Sequence, residues 1–303
     1  MSASILIPGS RKGAHDMERA ALKGRSLWDD ARRRLLRNRA AVTGMAVLGA
    51  LVAAAIVGPY LAPYAYDQVN KTDVWVAPLT HRHLLGTDEL GRDLLARLLM
   101  GLRVSLAIGL VATLVSLVIG VAWGSVAGFV GGRLDEVMMR IVDVLYSLPF
   151  IFFVILLMVT FGSNFILIFV AIGAVEWLTM SRIVRGQTLT LKHKEFVEAA
   201  RAAGLGRGGI IVRHIVPNLL GPVVVYVTLT IPAVILAESF LSFLGLGVQP
   251  PMASLGTLIA SGAQDMELAP WLLIFPSAVM VVTLMSFNFI GDGLRDAIDP
   301  KDR

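Results

Sequence analysis

The chain contains no cysteine in 303 residues, which excludes disulfides and thiolate metal sites. Charge is scarce as well. Charged residues make up 16%, where a soluble domain is nearer about a quarter. The five histidines, His15, His81, His83, His193 and His214, are scattered and suggest no metal cluster. No Gly-x-x-x-x-Gly-Lys-Ser/Thr phosphate loop occurs, so the chain is not expected to hydrolyse ATP. The polar start has no hydrophobic h-region ahead of a cleavage site. No removable signal peptide is expected, and the first apolar segment is expected to serve as an uncleaved anchor.

Apolar residues are what the chain has in excess. They make up 56%, and the mean hydropathy is +0.73. A helix needs about twenty apolar residues to cross the hydrocarbon core. Six segments qualify: residues 41–63, 104–129, 138–161, 165–180, 219–244 and 271–290. The expectation is an all-α integral membrane protein of about six transmembrane helices in one domain. Its net charge of +5 does not point to nucleic acid, because the basic residues lie in the loops.

Those loops set the orientation. Residues 1–40 hold ten Lys and Arg, and residues 181–218 hold seven against two acids. Residues 64–102 hold four against five acids, and residues 245–270 hold none. The positive-inside rule puts the first two regions in the cytoplasm and the last two outside. Both termini are then cytoplasmic. The expected organisation is a cytoplasmic segment 1–40, a membrane domain 41–291 with a long inner loop at 190–218, and a cytoplasmic tail 292–303. Within the first segment, Ser26 to Leu36 reads as an amphipathic elbow helix. Ser26 is the expected cap, Asp29 and Asp30 suit the positive end of the dipole, and Trp28, Leu35 and Leu36 are expected at the headgroup boundary.

The inner loop carries the sharpest pattern. In Glu198-Ala199-Ala200-Arg201-Ala202-Ala203-Gly204, residues Phe196, Ala199, Ala200 and Ala203 fall at i, i+3, i+4 and i+7. A short helix there has a small, smooth apolar stripe. Gly204 permits a sharp turn. A second short helix is expected over about 210–216, stopping before Pro217. Such a helix-turn-helix between membrane spans is shaped to dock into another protein.

Outside, His83 to Arg97 contains His, Thr, Asp and Glu, but no second cluster joins them as a metal or catalytic site. The structural reading is that Thr87 or Asp88 caps a helix, Gly91 permits close approach, and Arg92 and Arg97 pair with acids. Asp143, Glu176 and Glu238 fall within or beside the spans. A carboxylate in lipid is costly, so they are expected to face protein or water. Asp143 is expected to pair with Arg140 or Arg182. Glu176 and Glu238 are candidates for a pathway wall, a proton relay or interhelical pairing. Pro149, Pro222, Pro232 and Pro276 are expected to bend helices.

The Glu198–Gly204 stretch, followed by Ile215-Val216-Pro217, resembles the EAA loop of ABC importer permeases. Leu85-Gly86-Thr87-Asp88-Glu89-Leu90-Gly91-Arg92-Asp93 resembles the external signature of the dipeptide, oligopeptide and nickel permeases. So do Gly131–Arg140, Glu238–Gly247 and Phe287–Pro300. The likeness runs from about Gly24 to the end. Gly24–Trp28, Asp30–Arg34 and Ile183–Leu189 look nearest to C-type subunits of bacterial oligopeptide permeases. The pattern departs at Gly206-Arg207-Gly208-Gly209, which is richer in glycine than the family's usual turn.

The resemblance implies an ABC importer permease fold in the bacterial inner membrane with a cytoplasmic coupling helix. The residues implied to couple to an ATPase are Phe196, Glu198, Ala199, Ala200, Ala203, Gly204, Arg207, Ile215 and Pro217. The implied partners are a homologous B-type permease, two ABC ATPase subunits holding ATP and Mg, a periplasmic peptide-binding protein and a peptide substrate. No cofactor, metal or catalytic residue is implied for this chain. Dipeptide and nickel substrates remain open by the same motifs. A proton-coupled secondary transporter using Glu176 and Glu238, or an intramembrane enzyme, are the readings from other classes. All five histidines lie outside the six spans, which argues against a histidine-based enzyme.

Overall fold

The computed structural model describes residues 27–161 and 165–298. Its elements are α1 (Leu27–Arg37), α2 (Arg39–Leu61), α3 (Leu94–Val130), α4 (Gly132–Ser147), α5 (Phe150–Phe161), α6 (Phe165–Leu191), α7 (Glu195–Ala202), α8 (Arg207–Ile210), a π turn (Ile211–Ile215), α9 (Val216–Phe243), α10 (Leu255–Gln264) and α11 (Trp271–Ile298). Among the described residues four helical stretches are long and apolar enough to cross a membrane: Arg39–Leu61, Leu94–Val130, Arg207–Phe243 and Trp271–Ile298.

The expected third span, residues 138–161, is not one helix. It is split between α4 and α5, with Leu148 extended at φ −75° and ψ 129°. Pro149 explains the split, because its ring disfavours helical geometry in the residue before it. Pro149 therefore separates two helices instead of bending one. The expected fourth span lies inside α6, which runs on to Leu191. Pro222, Pro232 and Pro276 do lie inside helices, as expected.

The centre of the bundle is α3, and α6 lies along it. Small residues make the approach possible. A Cβ at Gly120 would strike the Met180 side chain, one at Gly124 would strike the carbonyl of Ser181, and one at Gly128 would come within 2.9 Å of the carbonyl of Arg185. Glycines spaced by four put the closest backbone contact on one helix face, the packing mode membrane helices use where hydrophobic driving force is weak. Trp123 of α3 and Trp177 of α6 meet edge to face at 5.2 Å. Ile108, Ala112, Ile172, Val234 and Leu241 form a second, fully buried cluster across α3, α6 and α9.

On one side α2 packs against α11, with Gly44 beside the carbonyl of Ser286. The elbow helix is present as α1, with Asp29 and Asp30 in its first turn and Arg34 and Arg37 in its last. Its expected cap, Ser26, lies outside the described residues, as does the side chain of Trp28. Leu36 is exposed, and Leu35 packs beside Gly293 of α11. Asn38 ends α1 and caps α2, its Oδ1 accepting from the Ala41 N–H at 3.2 Å.

Residues 62–93 form an ordered segment without a helix. Asp93, not Thr87 or Asp88, caps α3, accepting from the Ala96 N–H at 2.9 Å. Its other oxygen meets His83 Nδ1 at 2.8 Å, and His83 stacks on Tyr64 with ring centroids 4.5 Å apart. Thr87 instead donates to the Asp73 carbonyl at 2.5 Å, and Asp88 takes Arg92 at 2.7 Å and Arg97 at 3.4 Å. The hydrogen bond from His81 is the main reason the Asp73 carboxyl lies below its ordinary value. Gly91 has φ +70°, and a Cβ there would fall on the Asn70 carbonyl. The expected close approach is thus real, and His83, Asp88, Arg92, Asp93 and Arg97 act as structural pairs and caps.

Candidate functional site

The 190–218 loop folds as two short helices joined by a tight turn. Helix α7 begins at Glu195 with Glu195 and Glu198 in its first turn and Arg201 in its last, the order that complements the helix dipole. It closes in a Schellman motif. The Leu205 N–H donates to the Ala200 carbonyl at 3.1 Å, and the Gly204 N–H donates to the Arg201 carbonyl at 2.9 Å. Gly204 has φ +82°, the left-handed conformation this motif demands. The expected role of Gly204 in a sharp turn therefore has a specific geometry.

The helix divides its faces between the chain's own core and the outside. Val197 and Ala200 are buried against Phe129, Val184, Ile210, Ile211 and Ile215. Phe196 is 37% exposed, and Ala199 and Ala203 are exposed with it. The expected stripe of four is therefore split, because Ala200 faces inward. Three of its members remain open, flanked by the exposed Glu198. Val197, which the sequence reading passed over, anchors the helix. The signal was the i, i+3 pair Val197 and Ala200 facing Ile211 and Ile215, spaced four apart.

Arg201 of α7 reaches across to α3, its guanidinium 5.3 Å from the centre of the Phe129 ring. Phe129, Arg201, Leu205, exposed Arg207 and Ile210 line one groove beside the turn. Lys192 ties the start of the loop to the end of α3, donating to the Gly128 carbonyl at 3.1 Å.

Beyond α8 the expected second helix does not stop before Pro217. It passes through the π turn into α9, with the Val216 N–H donating to the Ile211 carbonyl, five residues back. Proline has no N–H and its ring collides with the carbonyl four residues earlier. Widening the ladder just ahead of Pro217 lets the chain continue. Ile215 is fully buried and Pro217 is exposed at the start of α9. A rigid connection thus runs from the exposed Arg207 into a membrane-length helix.

The acids within or beside the spans take different partners. Asp143 pairs with Arg182 at 2.8 Å, and not with Arg140. Arg182 also lies 4.4 Å from the centre of the Tyr146 ring. A bidentate pair that sequence reading did not anticipate joins Asp135 to Arg185 at 2.5 and 2.7 Å. It crosses from α4 to α6 just inside the loop. Glu176 is half-buried, and no ion pair to it occurs among the described residues. Glu238 is fully buried, and its partners are the hydroxyls of Ser242 and Ser254, each at 2.6 Å. Among the described residues no group of three or more His, Asp or Glu is placed to hold a metal.

A bundle of membrane-length helices thus carries one closed helix-turn-helix on its basic loop. The chain belongs to the binding-protein-dependent transport system inner membrane component family, whose model matches residues 120–303. Residues 26–78 match the N-terminal TM domain of oligopeptide transport permease C. The chain is 56% identical over 287 residues to the oligopeptide transport system permease protein OppC of Escherichia coli strain K12, covering 94% of this chain and 95% of the relative. It is 43% identical over 300 residues to the dipeptide transport system permease protein DppC of Bacillus subtilis strain 168, covering 99% and 92%. Among solved structures it is similar to an inward-facing conformation of the MetNI methionine ABC transporter. The TM-score is 0.55 at 19% identity, covering 67% of this chain and 96% of that one. That likeness is of fold, and the chain is a membrane subunit of an ABC importer.

Proposed function

We propose that this chain forms one half of an ATP-driven pathway for oligopeptides, and that α7 with its Gly204 turn is the element that receives motion from an ATPase. The single observation that carries the reading is the divided face of α7. Val197 and Ala200 lock it to the bundle, while Phe196, Ala199 and Ala203 stay open beside Glu198 and Arg207. A helix fixed on one side and smooth on the other passes a push into the spans it touches. Closure of an ATPase dimer supplies the bias between two states through differential binding. A second, homologous permease completes the pathway, two ATPase subunits dock below, and a soluble binding protein delivers peptide from outside. The residues proposed to meet the ATPase are Phe196, Glu198, Ala199, Ala203, Gly204 and Arg207. Ala200, Ile215 and Pro217 hold the element in place.

The substrate is proposed as oligopeptide on the 56% identical relative, with dipeptide the alternative carried by the 43% identical one. Mass analysis of ligand retained by the cognate binding protein separates the two.

The absence of native cysteine makes the loop simple to test. Cysteine is placed at Arg207 and, separately, at Leu268, which is 64% exposed in the opposite loop. A membrane-impermeant thiol reagent reaching the outer face is expected to label position 268 and spare 207. A crosslinker is expected to join 207 to an ATPase subunit, with a yield that changes when ATP is trapped. External labelling at 207 would invert the topology. Correct topology with no crosslink would remove the coupling role from this loop.

A further inference from the structure

Helix α10 is short, ten residues, and is lodged between α3, α9 and α11 on the side of the bundle that the loop charges assign to the exterior. It fits closely. A Cβ at Gly256 would strike the backbone of Ser239, a Cβ at Gly101 would come within 3.1 Å of the Ser254 backbone, and a Cβ at Gly262 would strike the carbonyl of Leu272. Its N-terminus is a capping box. Ser254 Oγ accepts from the Thr257 N–H at 3.1 Å, and Thr257 Oγ1 accepts from the Ser254 N–H at 2.8 Å.

That cap is tied to the bundle by one carboxyl group. Ser254 Oγ donates to Glu238 Oε1 at 2.6 Å, and Ser242 Oγ donates to the same oxygen at 2.6 Å. Ser105 of α3 completes the knot by accepting from the Leu255 N–H at 2.9 Å. Glu238, Ser105 and Ser254 are wholly buried, and Ser242 is 6% exposed. Glu238 Oε2 has no hydrogen-bonding partner among the described residues. At the far end of α10, Arg97 stands beside Ser261, Gly262 and Asp265 in the same condition. It is 7% exposed, and its Nη1 has no partner among the described residues.

An ionisable residue at membrane depth is expensive, and a well-packed apolar side chain would seat α10 without that cost. A rigid plug needs no carboxyl group under its cap. A hydrogen-bonded carboxyl group fixes one seated position of α10 by direction as well as by fit. We propose that Glu238 is a positioning residue for transport: it latches α10 through Ser254, and α10 so held closes the outer end of the pathway until the ATPases act. Glu238 touches no substrate in this role. It acts through the cap of α10. The proposal rests on the reading of the chain as an ATP-driven permease.

The test uses the complete reconstituted complex with its binding protein. Three variants are compared with the parent: Glu238→Ala, Glu238→Gln and Ser254→Ala. Glu238→Ala is expected to raise ATPase activity in the absence of binding protein by about fivefold, the shift produced by losing a hydrogen bond of ordinary net strength, while peptide uptake falls. Glu238→Gln keeps an oxygen acceptor for both serines and is expected to restore the parent's dependence on binding protein. Ser254→Ala removes one hydroxyl and is expected to behave like Glu238→Ala. The second readout is a single cysteine at Leu258, which is 5% exposed on α10. Its labelling from outside is expected to quicken about fivefold in the Glu238→Ala background. A merely structural glue would loosen α10 and quicken labelling without raising basal ATPase activity.

Parent-like basal ATPase and labelling in an assembled Glu238→Ala complex overturn the latch. So does a Glu238→Gln complex as uncoupled as Glu238→Ala. Should Glu238→Ala fail to assemble, Ser254→Ala decides, and parent-like values for it overturn the latch equally. A parent complex whose ATPase does not respond to loaded binding protein would instead defeat the ATP-driven reading itself, before any variant is compared.

Discussion

At the scale of single residues, Gly204 is where conformation and the proposed docking role meet most closely. It sits at φ +82° with nothing within 4 Å of where a Cβ would lie. A substitution there meets no obstacle inside the chain. Its cost comes from the left-handed backbone, about 1 kcal/mol for an ordinary residue, and from whatever surface approaches the turn. Gly204→Asn tolerates that backbone and is expected to retain most uptake. Gly204→Trp keeps membrane insertion but is expected to lose binding-protein-stimulated ATPase and uptake together. Reconstituted complexes provide both measurements, and normal values for the tryptophan variant would take this turn out of the docking surface. The same scale shows what sequence can hide. Gly204 announced its geometry, because few residues other than glycine accept it. The cap of α3 did not, since Thr87, Asp88 and Asp93 are all competent caps. Asp93 serves because its second oxygen meets the buried His83, ten residues away.

At the scale of elements, hydropathy located the apolar segments but not how they are cut. Pro149 was visible in the sequence, yet a mid-span proline either bends a helix or divides it, and packing decides which. The passage of α8 into α9 was equally hidden, because a π turn has no marker beyond the strain it relieves at Pro217. Close packing of α3 on α6 was written in the spacing of Gly120, Gly124 and Gly128, although an isolated reading of those glycines cannot say which helix they face. That contact gives an element-scale prediction. At Gly124 a Cβ already collides with the Ser181 carbonyl and approaches Arg185 N to 2.9 Å, so Gly124→Leu must push α3 and α6 apart. Overpacking of this kind costs about 1–3 kcal/mol or more. The detergent-solubilised protein is expected to lose several degrees of thermal stability. Gly186→Leu is the control on the exposed face of α6, where nothing lies within 4 Å, and it is expected to melt with the parent. Equal melting of the two variants would mean that α3 and α6 do not depend on this approach.

At the scale of the whole molecule, the question is what drives the cycle. The coupling signature occurs once in the chain, so a two-fold pathway needs a second permease. The acids that raised a proton-driven alternative are now placed. Glu238 lies under the cap of α10, held by two serines, with no chain of titratable groups leading from it among the described residues. Asp143 is spoken for by Arg182. Glu176 is thus the remaining relay candidate, and a proton path needs successive groups within hydrogen-bond reach. Glu176→Gln removes its ability to carry a proton while keeping its shape and its oxygen. In proteoliposomes loaded with ATP, this variant is expected to take up peptide in proportion to ATP hydrolysis, with no change when an ionophore collapses the proton gradient. The parent is expected to do the same. Uptake by the parent that survives removal of ATP, stops with the ionophore and disappears in Glu176→Gln would put the driving force in the gradient. The inner loop would then have to be explained without an ATPase beneath it.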